Sequence, residues 1–310
     1  MVNLPEKTTL RPTMKMAELV DLDYALLSVF SRMGVPLGFG EASVEEVCTQ
    51  AGIPTEEFLL ICRIYANEAF VPSPEDLARA GVPGLVAYLR KSHSYYMDVA
   101  LQVLEQALER MIAPCESRSQ RIFRTFFKVY REELARHFAF EEEKVFPYLE
   151  SCAAGDFRAE EFEDTHENVE EKLGDLKSLI VKYLPKDCDQ YQANRTVRLL
   201  LLLGHDFQKH ILLEDSLVAS LLGRSARTVL ESLQSSVPAE DDVLSQREKE
   251  ILVCVAKGLL NKEIADQCNL SIHTVITHRK NITRKTGIKS VAGLTVYALL
   301  NNLIDINVIE

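Results

Sequence analysis

The amino-acid sequence predicts an all-α protein: an up-down four-helix bundle, with a small helical unit before it and a block of four short helices after it. Three observations carry that expectation. Apolar residues recur at the 3.6-residue helical period along most of the chain, and strand-like alternation is scarce. Breaks at Pro114, Gly155 and Pro185 divide the middle into four long helical patterns, about 84–112, 117–151, 158–183 and 189–222. Long rods joined by short connections pack antiparallel. The stretch from Ser235 through Pro238 to Asp242 reads as a linker. The expected divisions are 1–80 for the first unit, 84–225 for the bundle, 226–242 for the linker and 243–310 for the last block.

The totals narrow the class. A chain of 310 residues suits two or three domains, and 47% hydrophobic with 26% charged residues is ordinary globular composition. The first fifteen residues are polar and carry prolines, unlike a secretion signal. The five leucines 199–203, like every other apolar run in the chain, are far short of a membrane span. Seven cysteines lie scattered at 48, 62, 115, 152, 188, 254 and 268 without a CxxC pair, which suits free thiols in a reducing cytoplasm. We therefore expect a cytoplasmic protein with no membrane partner. A net charge of −11 argues against nucleic acid only if it is spread evenly, and it is not: residues 243–310 hold nine Lys/Arg against six Asp/Glu.

In the first unit, helical patterning is interrupted by Gly34, Pro36, Gly38 and Gly40, then by Pro54. Val71-Pro72-Ser73-Pro74 and the 81–84 stretch mark its end. Residues 43–66 could be read as a helix-turn-helix, but Glu45, Glu46, Glu56 and Glu57 would face phosphates, so an interaction or dimerisation element fits better.

Within the bundle the histidines carry the chemistry. His93 and His166 fall early on the first and third rods, and His137 and His210 fall late on the second and fourth. In an antiparallel bundle those positions share one end, so four imidazoles reach similar depth. His137 and His210 are each followed four residues later by glutamate, Glu141 and Glu214, on the same helix face. Four imidazoles with two carboxylates able to bridge suit a pair of iron ions. The constellation resembles the hemerythrin-like proteins, and more narrowly the iron-centre repair (RIC) family, with single histidines on rods one and three and HxxxE on rods two and four. The resemblance implies metal ligation by His93, His137, Glu141, His166, His210 and Glu214. His166-x-x-x-Glu170 lacks the second histidine of the five-histidine oxygen carriers, and Asp215 is a reserve ligand in the alternative register. His205 lies about 140° around the helix from His210 and is expected to face elsewhere. Tyr95 and Tyr96, near His93, read as packing residues, with hydrogen-bond donors behind the ligands as the alternative, and Glu142 and Glu143 read as solvated face. Residues 16–66 resemble the short domain that precedes the bundle in many iron-centre repair proteins, but Gly38-Phe39 stands where adjacent cysteines are usual, so thiol chemistry there is not expected.

In the last block, Ser245-Gln246-Arg247-Glu248 is a capping box that opens a helix. A second helix starts near Asn261, and Ser271 caps a third that runs to Thr286-Gly287 and carries His278, Arg279, Lys280, Asn281, Arg284 and Lys285. Short helices joined by the Cys268–Ser271 turn suit a helix-turn-helix. Arg247-Glu248, Gly258, Asn261 to Ala265, Leu270-Ser271, Thr274-Val275, His278, Asn281-Ile282, Lys285 and Gly287 together resemble the LuxR-type family. That resemblance implies base reading of double-stranded DNA by Ile276, Thr277 and Lys280, and phosphate contact by Lys262, Thr274 and Lys285. It also implies homodimer formation through a fourth helix near 290–302. The expected function is a DNA-binding transcriptional regulator, not an enzyme, whose di-iron bundle senses O2, NO or redox state. The alternative is a di-iron enzyme of iron-centre repair or NO/peroxide detoxification with a DNA-binding module attached.

Overall fold

The computed structural model describes residues 10–151, 159–221 and 243–305, and of residues 159–168 the backbone alone. The expected linker 226–242 lies outside the described residues. Among the described residues there are fifteen α-helices and no strand, so the protein is all-α as the sequence predicts.

Five short helices come first: α1 Met16–Leu22, α2 Leu26–Met33, α3 Val44–Ala51, α4 Thr55–Ala66 and α5 Pro74–Ala80. Helix α5 falls where the sequence reading placed only a break. The reason is local: Ser73 and Asp76 form a capping box, and Pro74 occupies the first helical turn, where its missing N–H costs nothing.

The four rods follow. The first is α6 Val82–Tyr95, a π-turn Tyr96–Ala100 and α7 Leu101–Ile112. The second is α8 Ser117–Phe140, a π-turn Glu141–Val145 and α9 Phe146–Ser151. The third and fourth are α10 Ala159–Tyr183 and α11 Gln190–Leu221. Four more helices close the chain: α12 Gln246–Ala256, α13 Asn261–Cys268, α14 Ile272–Thr286 and α15 Val291–Leu300.

The chain forms two compact units, and the division cuts across the rods. The first unit holds Met1–Ala100, Arg136–Phe162 and His205–Ser235. Its core is continuous from the amino-terminal helices (Met16, Phe30, Phe58, Tyr65) to the rods (Leu85, Tyr88, Phe146, Leu213). A Cβ on Gly84 would run into the Glu57 carboxylate, so a larger residue there would make the end of the Glu57 side chain move aside. Arg32 from α2 is buried among rod side chains. Its Nη2 lies 2.6 Å from Asp206 Oδ1, and Nη1 donates to Tyr96 Oη at 3.2 Å and Ser92 Oγ at 3.3 Å. The rings of Tyr65, Tyr88, Tyr95 and Tyr96 surround its guanidinium at 5.1–5.7 Å. A buried cation with a carboxylate and aromatic faces has its charge met on every side.

The second unit holds Leu101–Ala135, Glu163–Gly204 and Ser236–Glu310. Its rods run antiparallel, as the ion pairs Arg124–Glu109 and Arg131–Glu105 between α7 and α8 require. It also corrects the reading of the cysteines: Cys115 and Cys188 form a disulfide. They are 73 residues apart in sequence, so no local motif announces them, but antiparallel rods put their two connections at one end.

Candidate metal centre and DNA-reading face

The first unit gathers histidines and glutamates from three rods. His137, near the end of α8, and Glu141, one turn on at the start of the π-turn, meet with His137 Nε2 2.7 Å from Glu141 Oε1. His93 of α6 brings Nε2 to 3.1 Å from Glu141 Oε2 and 3.2 Å from His210 Nε2 of α11. His210 Nε2 is 3.7 Å from Glu214 Oε2. All five residues are buried, and both glutamates are fully so. Donor atoms of His93, Glu141 and His210 lie within 4.8 Å of one another. Of the two acids that follow His210, Glu214 is buried and Asp215 only half-buried, which favours the HxxxE register. The expected ligand His166 lies outside the residues whose side chains are described.

The donor set fits a cation. Mixed imidazole and carboxylate ligands suit first-row transition ions, and two glutamates withdrawn from water need positive charge nearby. Burial alone would lower the His93 pKa; its hydrogen bonds to Glu141 and Glu142 and the charges of Glu141 and Glu214 outweigh that and raise it to about 9. A metal taking Nε2 displaces the proton, so the two compete.

The surroundings hold the rings in place. Phe138 stacks on His93 with centroids 4.0 Å apart, Phe146 lies at 5.1 Å, and Tyr96 meets His210 edge-on at 5.5 Å. Sequence reasoning missed Glu142, assigned to the solvated face. Its Oε1 lies 3.0 Å from His93 Nδ1, and Arg90 pairs with its other oxygen. The hydrogen bond to His93 is the leading cause that holds the Glu142 carboxyl below its ordinary range. An outer carboxylate on the second imidazole nitrogen fixes ring orientation and tautomer. Adjacent residues on a regular helix point 100° apart; the π-turn that starts at Glu141 lets 141 and 142 reach opposite nitrogens of one ring. His205 is half-buried, and no contact places it in the cluster.

The last block builds the second site. Ser245 and Glu248 form the expected capping box on α12, and Ser271 caps α14 by accepting from the Thr274 N–H at 3.1 Å. Arg279 of α14 donates to Asn261 Oδ1 at 2.7 Å, and Arg247 donates to the Cys268 carbonyl, bracing α12, α13 and α14. Val275 and Ile282 face inward on α14. Lys262, Thr277 and Lys280 are exposed, and Thr274 and Ile276 half-buried. Lys285, expected at a phosphate, is drawn inward: its Nζ lies 2.9 Å from Glu248 Oε2 and donates to the Val243 carbonyl at 3.2 Å. It braces the amino terminus of α12 against α14.

This arrangement of buried histidines and glutamates on rods, followed by a capped helix-turn-helix, defines a metal-binding bundle joined to a DNA-reading block. Residues 84–222 match the hemerythrin HHE cation binding domain family, and residues 242–298 match the luxR family of bacterial regulatory proteins. The chain carries both domains. Over 63 residues it is 46% identical to the oxygen regulatory protein NreC of Staphylococcus aureus strains JH9, JH1 and Mu3 / ATCC 700698. That stretch is 20% of this chain and 29% of theirs, so the chain spans under a third of these curated relatives. No solved structure matches the chain. No described helix is long and apolar enough to cross a membrane.

Proposed function

We propose that the protein is a homodimeric, cytoplasmic transcriptional regulator whose bundle holds two iron ions and senses O2, NO or redox state, and whose carboxy-terminal block delivers the response to DNA. One observation carries the reading: His93, His137, Glu141, His210 and Glu214 converge in the interior of a chain that also carries a LuxR-type domain. Bound there, iron would supply reversible ligand binding and one-electron redox change.

His93 sits on α6, His137 and Glu141 on the α8 rod, and His210 and Glu214 on α11. A change in the separation of these ligands therefore acts on three rods, each of which continues in sequence into the second unit. A rod shift of that kind biases the population of DNA-competent arrangements only as far as the two ligand states differ in affinity for them. The division 1–80, 84–225, 226–242 and 243–310 belongs to this proposal, with the first unit as an interaction element. So do His166 as a further ligand and Lys262, Thr274, Ile276, Thr277, Lys280 and Lys285 as the DNA contacts. The name of the S. aureus relatives links a similar DNA-reading block to oxygen and lends support to an O2 signal.

The test is affinity for duplexes selected from a random double-stranded library by the full chain. The metal-free, diferrous, diferric and nitrosylated forms are compared at one salt concentration. The proposal expects at least one form to differ by about tenfold or more, a typical coupling. Equal affinity in all four forms overturns it.

A further inference from the structure

Two connections of the bundle come together in the second unit: 113–116, which joins α7 to α8, and 184–189, which joins α10 to α11. The Asp189 N–H donates to the Met111 carbonyl at 3.0 Å, and the Glu116 N–H to Asp187 Oδ2 at 2.8 Å. The Cys115–Cys188 disulfide lies between them, with both residues buried and Cα atoms 4.9 Å apart. The described cysteines outside this pair, Cys48, Cys62, Cys254 and Cys268, are free thiols, and burial pushes Cys48 up to about 11.

The same connections flank the seat of the carboxy-terminal block. Three residues after Cys115, Arg118 donates through Nη1 to Asn302 Oδ1 at 2.7 Å. Its Nη2 donates to the carbonyls of Leu299 at 3.2 Å and Ile304 at 3.1 Å. Five residues before Cys188, the Tyr183 hydroxyl donates to the Thr286 carbonyl at 3.0 Å, and its ring meets Tyr297 edge-on at 4.7 Å. Further back on α10, the buried Asp175 accepts from the N–H groups of Lys289 and Ser290, each at 2.8 Å, and from the Ser290 hydroxyl at 2.5 Å. A Cβ on Gly293 would stand 2.5 Å from that carboxylate, so only glycine lets Asp175 lie against the start of α15. Contacts to 286–304 thus come from both rods that the disulfide links.

We propose that Cys115 and Cys188 are a redox-switched pair that sets how firmly the DNA-reading block is held on the bundle. DNA lies in a compartment that keeps thiols reduced, so a disulfide in a DNA-binding chain persists only when the thiol pool shifts toward oxidation. The step is thiol–disulfide exchange with a low-molecular-weight disulfide. One cysteine thiolate attacks a sulfur of RSSR and expels RS⁻; the second attacks the mixed disulfide and expels another. The two cysteines lose two electrons and two protons, and RSSR becomes two RSH. Oxidised, the bond pins the two connections and keeps Arg118 and Tyr183 in register. Reduced, the connections can part and the seat loosens. A block held through 289–304 has α15 engaged on the bundle, so oxidation lowers DNA binding. That last consequence rests on the proposed pairing of two copies through α15; the switch itself does not.

The full chain is equilibrated without oxygen in mixtures of glutathione and glutathione disulfide. Maleimide labelling of Cys115 and Cys188 is read by peptide mass, and amide hydrogen exchange is followed over 289–304. We expect both cysteines to pass from labelled to protected as glutathione disulfide rises, and exchange over 289–304 to slow by at least about tenfold. In C115S/C188S that region should exchange at the faster rate in every buffer. Should the double variant not fold, the wild-type comparison between buffers decides alone. Cysteines fixed in one state across all buffers overturn the proposal, and so does equal exchange in the two states. A buffer response that survives in C115S/C188S belongs to the metal end and also overturns it, while leaving the sensing proposal standing.

Discussion

At the metal end of the bundle, two glutamates and three imidazoles are withdrawn from water and answer one another at 2.7–3.7 Å. The carboxy-terminal block does the opposite with its charges: Lys262 and Lys280 stand in solvent, and the one charge pair drawn inward among its described residues is the Glu248–Lys285 brace. Each unit is arranged for a different partner. Buried acids and imidazoles make the first depend on a cation, whereas exposed bases on a well-capped scaffold let the second wait for a polyanion without losing its fold. The two should therefore respond to different perturbations.

The largest effect should come from the buried ion pair beside the metal end. Removing one partner of Arg32–Asp206 leaves the other charge buried, so Asp206→Ala should cost about 3–5 kcal/mol. A urea midpoint unchanged from wild type would mean that α2 is not fastened through this pair. Next is metal itself. Filling one of the two iron sites, with free iron at a hundredfold excess over its dissociation constant, should stabilise the bundle by about 2.7 kcal/mol, seen by calorimetry as a shift that chelation reverses. A shift confined to the carboxy-terminal block would reverse the assignment of the two roles.

Lys280→Ala should weaken duplex binding by about 1–3 kcal/mol and leave iron content unchanged, as filter binding and metal analysis together would report. A loss of iron in that variant would argue against independent sites. The smallest effect concerns α12. Ser245→Ala should cost the block about 1 kcal/mol. Burial works to raise the pKa of Glu248, but its hydrogen bonds to Lys285 and Ser245 outweigh that and lower it. Its contribution is thus present at neutral pH and is lost as the pH falls through the lowered value, below the ordinary 4.5. A melting profile of Glu248→Gln should lack that acid loss; one that superimposes on wild type down the acid limb would remove the brace from the account.

The two regions also differ in how much of them the sequence reveals. The DNA-reading block is written in adjacent residues: a capping box, a turn and a basic helix within about 45 positions, each set by local hydrogen bonds. The metal end is spread over three rods. Even so, His137–Glu141 and His210–Glu214 were legible because a four-residue step repeats a helix face, and the first and third rods end two residues before Pro114 and Pro185, the breaks that predicted them. What stayed hidden depends on contacts between distant positions. Arg32 and Asp206 are 174 residues apart, and Cys115 and Cys188 are 73 apart; nothing near either partner in sequence marks the meeting. Glu142 was concealed differently. A regular helix would turn it away from Glu141, and only the widening of the π-turn brings it to the far side of His93.

The most direct test of the central claim is an iron count on the full chain purified without oxygen, set beside His93→Ala and His210→Ala. The account predicts two irons per wild-type chain and a loss of at least one in each variant. An unchanged count in both variants, or a wild-type chain that takes up no iron when offered it, would contradict the metal centre and leave only the LuxR-type domain in place.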